Sequence, residues 1–159
     1  MLTIRDATIA DAALIRRLIG ELATFEKEPD AVRTTAADIA RDGFGASPQF
    51  RTIIAEWDGA PAGFALFFDY YSTWRGAGLY LEDLSVCPDY RGRGIGSALL
   101  ARVARAAEQE RRSFVKWSVL DWNQSAIEMY KAHGAEFLDE WRTALLSGDG
   151  LRRLTEKDC

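Results

Sequence analysis

Residues 77–106 read AGLYLEDLSVCPDYRGRGIGSALLARVARA. The apolar pattern from Ala77 to Val86 predicts a strand, and Cys87-Pro88 ends it because proline has no amide to give to a ladder. Ile95, Leu99, Val103 and Ala106 then recur at helical spacing. Between the two lies Arg91-Gly92-Arg93-Gly94-Ile95-Gly96-Ser97. A strand, a glycine-rich turn and a helix N-terminus offer backbone N–H groups and the positive end of the helix dipole to an anion. Two common phosphate loops are excluded. No Gly-x4-Gly-Lys-Ser/Thr spacing occurs, and the dinucleotide fingerprint requires glycine at position 97, where the chain has Ser97. The same glycines also fit a plain tight turn, so the loop by itself leaves both readings open.

Working outward, Leu2 to Arg5 alternates as a short strand, and Thr8-x-x-Asp11 reads as a capping box opening a helix that runs to about Phe25. Thr35-x-x-Asp38 opens a second helix, stopped by Gly43 and Gly45. Phe50 to Trp57 and Ala62 to Phe68 read as strands joined at the hairpin signal Asp58-Gly59. Phe114 to Val119 is a further strand, Asn123 to Ala132 a short helix stopped by Gly134, and Phe137 to Leu146 a last strand. Leu151 to Glu156 is too short to assign. Three consecutive strands leave no room for helical crossovers between them. The order therefore predicts one α/β domain over residues 1–159, of α+β type, with a mixed, mostly antiparallel sheet of about six or seven strands and about four helices.

Composition narrows the class. The chain has 159 residues, 48% hydrophobic and 28% charged, which excludes disorder, collagen and coiled-coil rods. The longest uncharged stretch, Gly59 to Phe68, is about half of the roughly 20 residues a membrane span needs, and Arg5 and Asp6 interrupt any N-terminal apolar segment. Neither a span nor a secretory signal is expected. Two cysteines, Cys87 and Cys159, make neither a disulfide framework nor a zinc cage, which points to a reducing, cytoplasmic compartment and no metal. The net charge of −4 is unevenly spread. Residues 91–117 set Arg91, Arg93, Arg102, Arg105, Arg111, Arg112 and Lys116 against Glu108 and Glu110, a net +5, so the remainder carries −9. This suggests a local anion site, although solvated helix arginines give the same count. A nucleic-acid-binding domain would use the same arginines, but the acidic remainder and the missing recognition motif count against it.

A second pattern, Asn123-x-x-Ala126-x-x-x-Tyr130-x-x-x-Gly134, follows about 30 residues after Arg91-x-x-Gly94-x-Gly96. Together they resemble the coenzyme-A signature of the GNAT superfamily of N-acetyltransferases. Asp42-Gly43-Phe44-Gly45, Tyr71-Ser72-Thr73-Trp74, Tyr80-Leu81-Glu82-Asp83, Asp89-Tyr90-Arg91-Gly92 and Leu120-Asp121-Trp122-Asn123-Gln124 resemble its diamine acetyltransferase branch, which includes spermidine/spermine and thialysine enzymes. The resemblance covers residues 2 to about 146. It implies a twisted sheet splayed between its fourth and fifth strands for the pantetheine arm, acetyl-CoA as co-substrate, and a homodimer. It implies that Arg91, Gly92, Arg93, Gly94, Ile95, Gly96 and Ser97 hold the pyrophosphate, that Leu84, Ser85 and Val86 hold the pantetheine and polarise the thioester through backbone N–H, and that Asn123 and Ala126 line the cofactor.

Within that resemblance Tyr130 is the general acid for the departing thiolate. A phenol with a pKa near 10 stays protonated at neutral pH and can donate to a thiolate whose acid is near 8.5. Without the pattern it would read as a core aromatic. Glu82 is the candidate to relieve the acceptor ammonium of its proton, through water. A carboxylate near 4.3 is a poor match for an amine near 10.4, so either the pocket shifts one of them or solvent takes the proton. Glu26, Glu82, Asp83 and Glu140 would favour a cationic amine. Trp74 and Trp141 match tryptophans near the family's acceptor site, where an aromatic face holds a cation. His133, before Gly134, reads as a helix C-cap, and Cys87 as a small buried side chain rather than an acetylated nucleophile. Ser72-Thr73-Trp74 stands where polyamine enzymes of the branch have Asp-Pro-Trp, so the resemblance is closer to the thialysine type. The non-enzymatic alternative is a coenzyme-A-binding module.

Overall fold

Strands joined by very short turns have no room for a crossover and must pair antiparallel. In the computed structural model, which describes residues 1–156, β2 (Arg51–Trp57) and β3 (Ala60–Ser72) do so through Asp58-Gly59. β3 turns back in the same way into β4 (Gly76–Val86). β1 (Leu2–Asp6) pairs antiparallel on the outer side of β2, and β5 (Val115–Lys116) lies parallel to β4, with the crossover helix α3 (Ile95–Gln109) between them. The sheet order is β1-β2-β3-β4-β5. The chain divides into two compact units, Met1–Asn123, which holds the sheet, and the residues from Gln124 on.

Alternation sorts the faces of the sheet. Ile54, Phe64 and Leu66 turn toward α1 (Ala12–Phe25) and α2 (Ala36–Phe44), where they pack with Ala12, Ile15, Leu18 and Ile39. Ile53, Ala65, Phe67, Leu79 and Leu81, of opposite parity, are buried on the face where α3 brings Ile95, Leu99 and Val103. The Asp11 carboxylate accepts from the Thr8 amide at 2.8 Å and also from both Nη atoms of Arg5 at 2.8 and 2.9 Å, which ties β1 to the start of α1. At α2 the Thr35 hydroxyl and the Asp38 carboxylate exchange the reciprocal bonds of a capping box.

The ends of α1 and α3 were not legible from glycines. Lys27 and Arg111 adopt left-handed φ of 65° and 56°. In each case the paired 6→1 and 5→2 bonds of a Schellman motif close the helix: Glu28 N–H to Ala23 O and Lys27 N–H to Thr24 O, then Arg112 N–H to Ala107 O and Arg111 N–H to Glu108 O.

Among the described residues the sheet has five strands, against about six or seven expected, and there are five α-helices against about four. β5 keeps only Val115–Lys116 of the expected Phe114–Val119. Residues 137–146 form no strand among the described residues; alternation becomes a strand only where a neighbour completes the ladder, and Leu138, Trp141, Leu145 and Leu146 are exposed. In the second unit, α4 (Gln124–Ala132) closes at Gly134 as expected, and an unassigned stretch folds as α5 (Gly148–Thr155). Cys159 lies outside the described residues.

Gly63 sits where β3, β4 and α3 converge. A Cβ there would lie 2.5 Å from the Ser85 carbonyl oxygen and 3.2 Å from the Val86 Cα, both backbone atoms with no rotamer to yield. Gly63→Ala is expected to destabilise the fold by about 2 kcal/mol, read as a lower urea midpoint at unchanged slope.

Candidate active site

β4 is paired on both edges only at its start. The Leu79 amide donates to the Phe114 carbonyl at 3.0 Å, and the ladder with β5 ends at Tyr80 opposite Lys116. From Leu81 to Val86 no strand lies on that side among the described residues, although β3 stays paired on the other. This opening is where the resemblance places the pantetheine arm, beside Leu84, Ser85 and Val86.

A β-bulge falls just past the point where β5 is lost. Leu66 pairs with Asp83 and Phe67 with Leu81, which leaves Glu82 as the extra residue. Tyr80 stacks on Phe68, and Ser85 pairs with Phe64, so both turn toward the α1 face. Counted forward from Tyr80, Glu82 has that same parity; counted back from Ser85, so does Asp83. Two consecutive carboxylates, which a regular strand would send to opposite faces, therefore share one. Glu26, the C-cap residue of α1 held by the Lys27 Schellman motif, supplies a third.

The three acids act on one another. Burial first, then the negative charges of Glu82 and Glu26, push the Asp83 carboxyl up to about 7. Burial and Glu82 also raise Glu26. Asp83 and Glu26 are half-buried, and Glu82 is exposed.

The glycine loop follows a 3₁₀ turn, Pro88–Tyr90. Gly92 and Gly94 have φ of 75° and 76°, a left-handed geometry that glycine adopts freely, and the space beside both is open. Gly94 is the N-cap of α3, and the first helical bond runs from the Ala98 amide to its carbonyl, so the Ile95 and Gly96 amides lie ahead of the helical ladder. Ser97 is the third residue of α3. The Arg91 guanidinium lies over the Phe25 ring, 4.6 Å from its centroid, and donates to the Val86 carbonyl at 3.1 Å. Arg93 lies over Trp57 at 5.0 Å and near Tyr90 at 5.5 Å. Among the described residues neither is in an ion pair. Arg102 pairs instead with Asp6, Arg112 with Asp69, and Lys116 stands over the Tyr70 ring. The +5 segment is thus partly structural, and the two arginines of the loop itself, Arg91 and Arg93, are not neutralised by a carboxylate.

The structure brings Glu26, Glu82 and Asp83 together but not Trp74. That side chain is exposed at the β3–β4 turn, where its amide donates to the Ser72 hydroxyl. Gly76 to Glu82 spans about 20 Å of strand, so Trp74 stands apart from the carboxylate cluster within this chain. An aromatic contact at the end of α1 that carries Glu26 was not anticipated: Trp122 packs on Phe25 at 5.7 Å and under the Lys27 ammonium at 4.4 Å. Its neighbours come from the left-handed end of α1, which no glycine announced.

Asn123 closes the first unit, with its amide donating to Leu120 O at 2.9 Å. In the second unit Ala126 and the buried Tyr130 lie on α4, His133 follows its last residue, and Glu140 and Trp141 are exposed. Cys87 is half-buried, with its thiol 3.8 Å from Glu21 Oε2; burial and Glu21 raise its pKa, which opposes a thiolate nucleophile.

A half-unpaired strand, an open glycine loop with two arginines outside any ion pair, and carboxylates at a bulge form an arrangement suited to a polyanionic ligand on one side and a cation on the other. The chain belongs to the acetyltransferase (GNAT) family, whose pattern matches residues 15–135. It is an N-acetyltransferase that uses acetyl-CoA. It is 40% identical to thialysine N-epsilon-acetyltransferase of Bos taurus, over 97% of each chain. It is also 40% identical to spermidine/spermine N(1)-acetyltransferase-like protein 1 of Homo sapiens, over 83% of this chain and 20% of that one. In fold it is similar to the aminoglycoside N-acetyltransferase AAC(6')-Iy in complex with CoA, with a TM-score of 0.72 and 20% identity over 93% of this chain and 95% of that one.

Asp83 holds its proton up to about pH 7 in the fold, against an ordinary value of 3.8. Between those values the folded state binds a proton the unfolded chain has lost, so stability falls as pH rises through this window. Asp83→Asn removes that loss. It is expected to be more stable than the parent by about 2 kcal/mol at about pH 8, or about 6 °C in Tm, with the gap closing toward about pH 4. Thermal unfolding at the two pH values checks both the sign and the window.

Proposed function

We propose that the protein transfers the acetyl group of acetyl-CoA to the side-chain amine of thialysine or a similar small cationic amine, directly within a ternary complex. The observation that carries this reading is the face shared by Glu82, Asp83 and Glu26 beside the unpaired edge of β4. A field of that sign draws in an ammonium. The near full-length likeness to a thialysine enzyme supports the choice of acceptor.

In this reading the loop from Arg91 to Ser97 binds the pyrophosphate through its amides, with Arg91 and Arg93 adding charge. The Leu84 to Val86 backbone orients the pantetheine and polarises the thioester carbonyl. Asn123 and Ala126 line the cofactor. Glu26, Glu82 and Asp83 hold the acceptor ammonium, with Trp141 as an aromatic contact, and Glu82 receives its proton through water. Tyr130 protonates the departing sulfur. The 159 residues act as a single domain, since the family match runs from α1 through α4. The enzyme works in the cytoplasm as a homodimer; its two cysteines suit a reducing compartment, and no helix among the described residues is long and apolar enough to cross a membrane.

A polyamine acceptor is the second reading, favoured by the likeness to a spermidine/spermine-type protein. Ser72-Thr73 carries no carboxylate for a distal ammonium, so kcat/KM for thialysine is expected to exceed that for spermidine by about tenfold or more. Steady-state thiol release decides, and a higher value for spermidine would reverse the assignment.

Tyr130→Phe keeps the ring and removes the acid. It is expected to lower kcat about 100-fold with little change in KM for acetyl-CoA. Unchanged turnover would take the acid role from Tyr130.

A further inference from the structure

We propose that Phe25, the last residue of α1, is a positioning residue for donor binding, whose ring holds the Arg91 guanidinium in place, still fully charged, for the pyrophosphate of acetyl-CoA. The proposal rests on the reading of the loop from Arg91 to Ser97 as the pyrophosphate site.

Burial does not account for Phe25. A phenylalanine on an amphipathic helix ordinarily turns to the core, where its removal from water stabilises the fold. Phe25 stays 37% exposed and lies outside the clusters in which α1 packs on Ile54, Phe64 and Leu66. Its ring centroid is instead 4.6 Å from the Arg91 guanidinium carbon and 5.7 Å from the Trp122 ring, and the Lys27 ammonium stands 4.4 Å over Trp122. Two cations thus rest on two touching rings, all within the first unit. Phe25 and Lys27 are carried on the turn that the Schellman bonds fix at the end of α1.

The contact suits an arginine that must bind an anion. Arg91 donates from Nε to the Val86 carbonyl at 3.1 Å, which uses one of the five N–H donors of a guanidinium. Among the described residues no carboxylate pairs with it. A carboxylate in place of the ring would hold the guanidinium firmly, but it would neutralise the charge and occupy the fork that a phosphate needs. The face of a ring attracts the cation through its quadrupole and leaves charge and fork intact. An arginine already held in one orientation also loses less rotamer freedom when the ligand arrives. Arg93 rests on rings of its own, Trp57 at 5.0 Å and Tyr90 at 5.5 Å, so the effect of Phe25 is separable from that of Arg93.

Calorimetric titration of the full chain with coenzyme A reads the donor site with no amine present. Arg91→Ala is expected to weaken binding about 20-fold, as for the loss of a hydrogen bond to a charged group. Phe25→Leu keeps apolar bulk and removes the ring face. It is expected to weaken binding about fivefold with Tm within about 2 °C of the parent, while Phe25→Tyr stays within about twofold. Phe25→pentafluorophenylalanine, of nearly the same shape but with the quadrupole inverted, is expected to weaken binding at least as much as Phe25→Leu. In an Arg91→Ala background the effect of Phe25→Leu is expected to vanish, and in an Arg93→Ala background to persist at about fivefold. An unchanged Kd in Phe25→Leu, equal losses in Phe25→Tyr and Phe25→Leu, tight binding by the fluorinated ring, or a loss that persists without Arg91 would each overturn the proposal and leave the acetyltransferase reading intact. A parent chain that binds no coenzyme A at about 1 mM would overturn both.

Discussion

β4 is hydrogen-bonded on both edges as far as Tyr80 and on one edge beyond it. A bulge in a strand held on both sides disrupts two ladders, whereas here, at Glu82, two residues past the last pair with β5, it disrupts only the ladder with β3. The unpaired stretch also carries backbone donors and acceptors that must find partners, since each one left unmet away from water costs about 1–3 kcal/mol. The peptide-like amides of a pantetheine chain are partners of that kind. The end of one ladder and a bulge in the other thus give an open edge suited to the proposed donor and turn two carboxylates to one face. The close contact at Gly63 keeps β3 pressed against the remaining edge, so the slot opens on the β5 side alone.

The two charged parts of the site are arranged by opposite means. Arg91 and Arg93 are placed by aromatic rings and backbone carbonyls, which orient a guanidinium without neutralising it. Arg5, Arg51, Arg102 and Arg112 are spent on carboxylates and stitch elements together. On the acidic side no cation intervenes among the groups acting on Asp83, and three carboxylates repel one another. That repulsion costs stability near neutral pH, and the core on both sheet faces must offset it. Strain concentrated at one spot, with no cation there to relieve it, marks where a ligand completes the electrostatics.

Much of this could be read from the chain. Both capping boxes, the Asp58-Gly59 hairpin, the Gly134 stop and the strand-loop-helix around Gly94 are local patterns, and local patterns depend on few neighbours. The misses were non-local. Residues 137–146 alternate like a strand, but alternation says nothing about whether a partner is present. The α1 terminus was placed near Phe25, yet its closure on a left-handed Lys27, which positions Glu26, lacks the glycine that would have signalled it. Glu82-Asp83 was legible as a pair of carboxylates, and the facing that makes it chemical depends on a register shift against Leu66 and Phe67. The separation of Trp74 from the acids was likewise not legible, because a motif has no length scale and a strand has one.

The net charge of −4 therefore conceals two fields of opposite sign at successive positions along the chain from Glu82 to Arg93. Acetyl-CoA is a polyanion and the proposed acceptor is a cation, so each field attracts one substrate and repels the other. Reversed binding carries a like-charge penalty at both ends, which selects the productive orientation before any shape is tested. The same arrangement explains why the cluster gains from a proton-holding member. A site with three full negative charges would bind an ammonium tightly and hold its proton in place, whereas one that shares a proton near neutrality draws the cation in and still leaves a base able to take that proton.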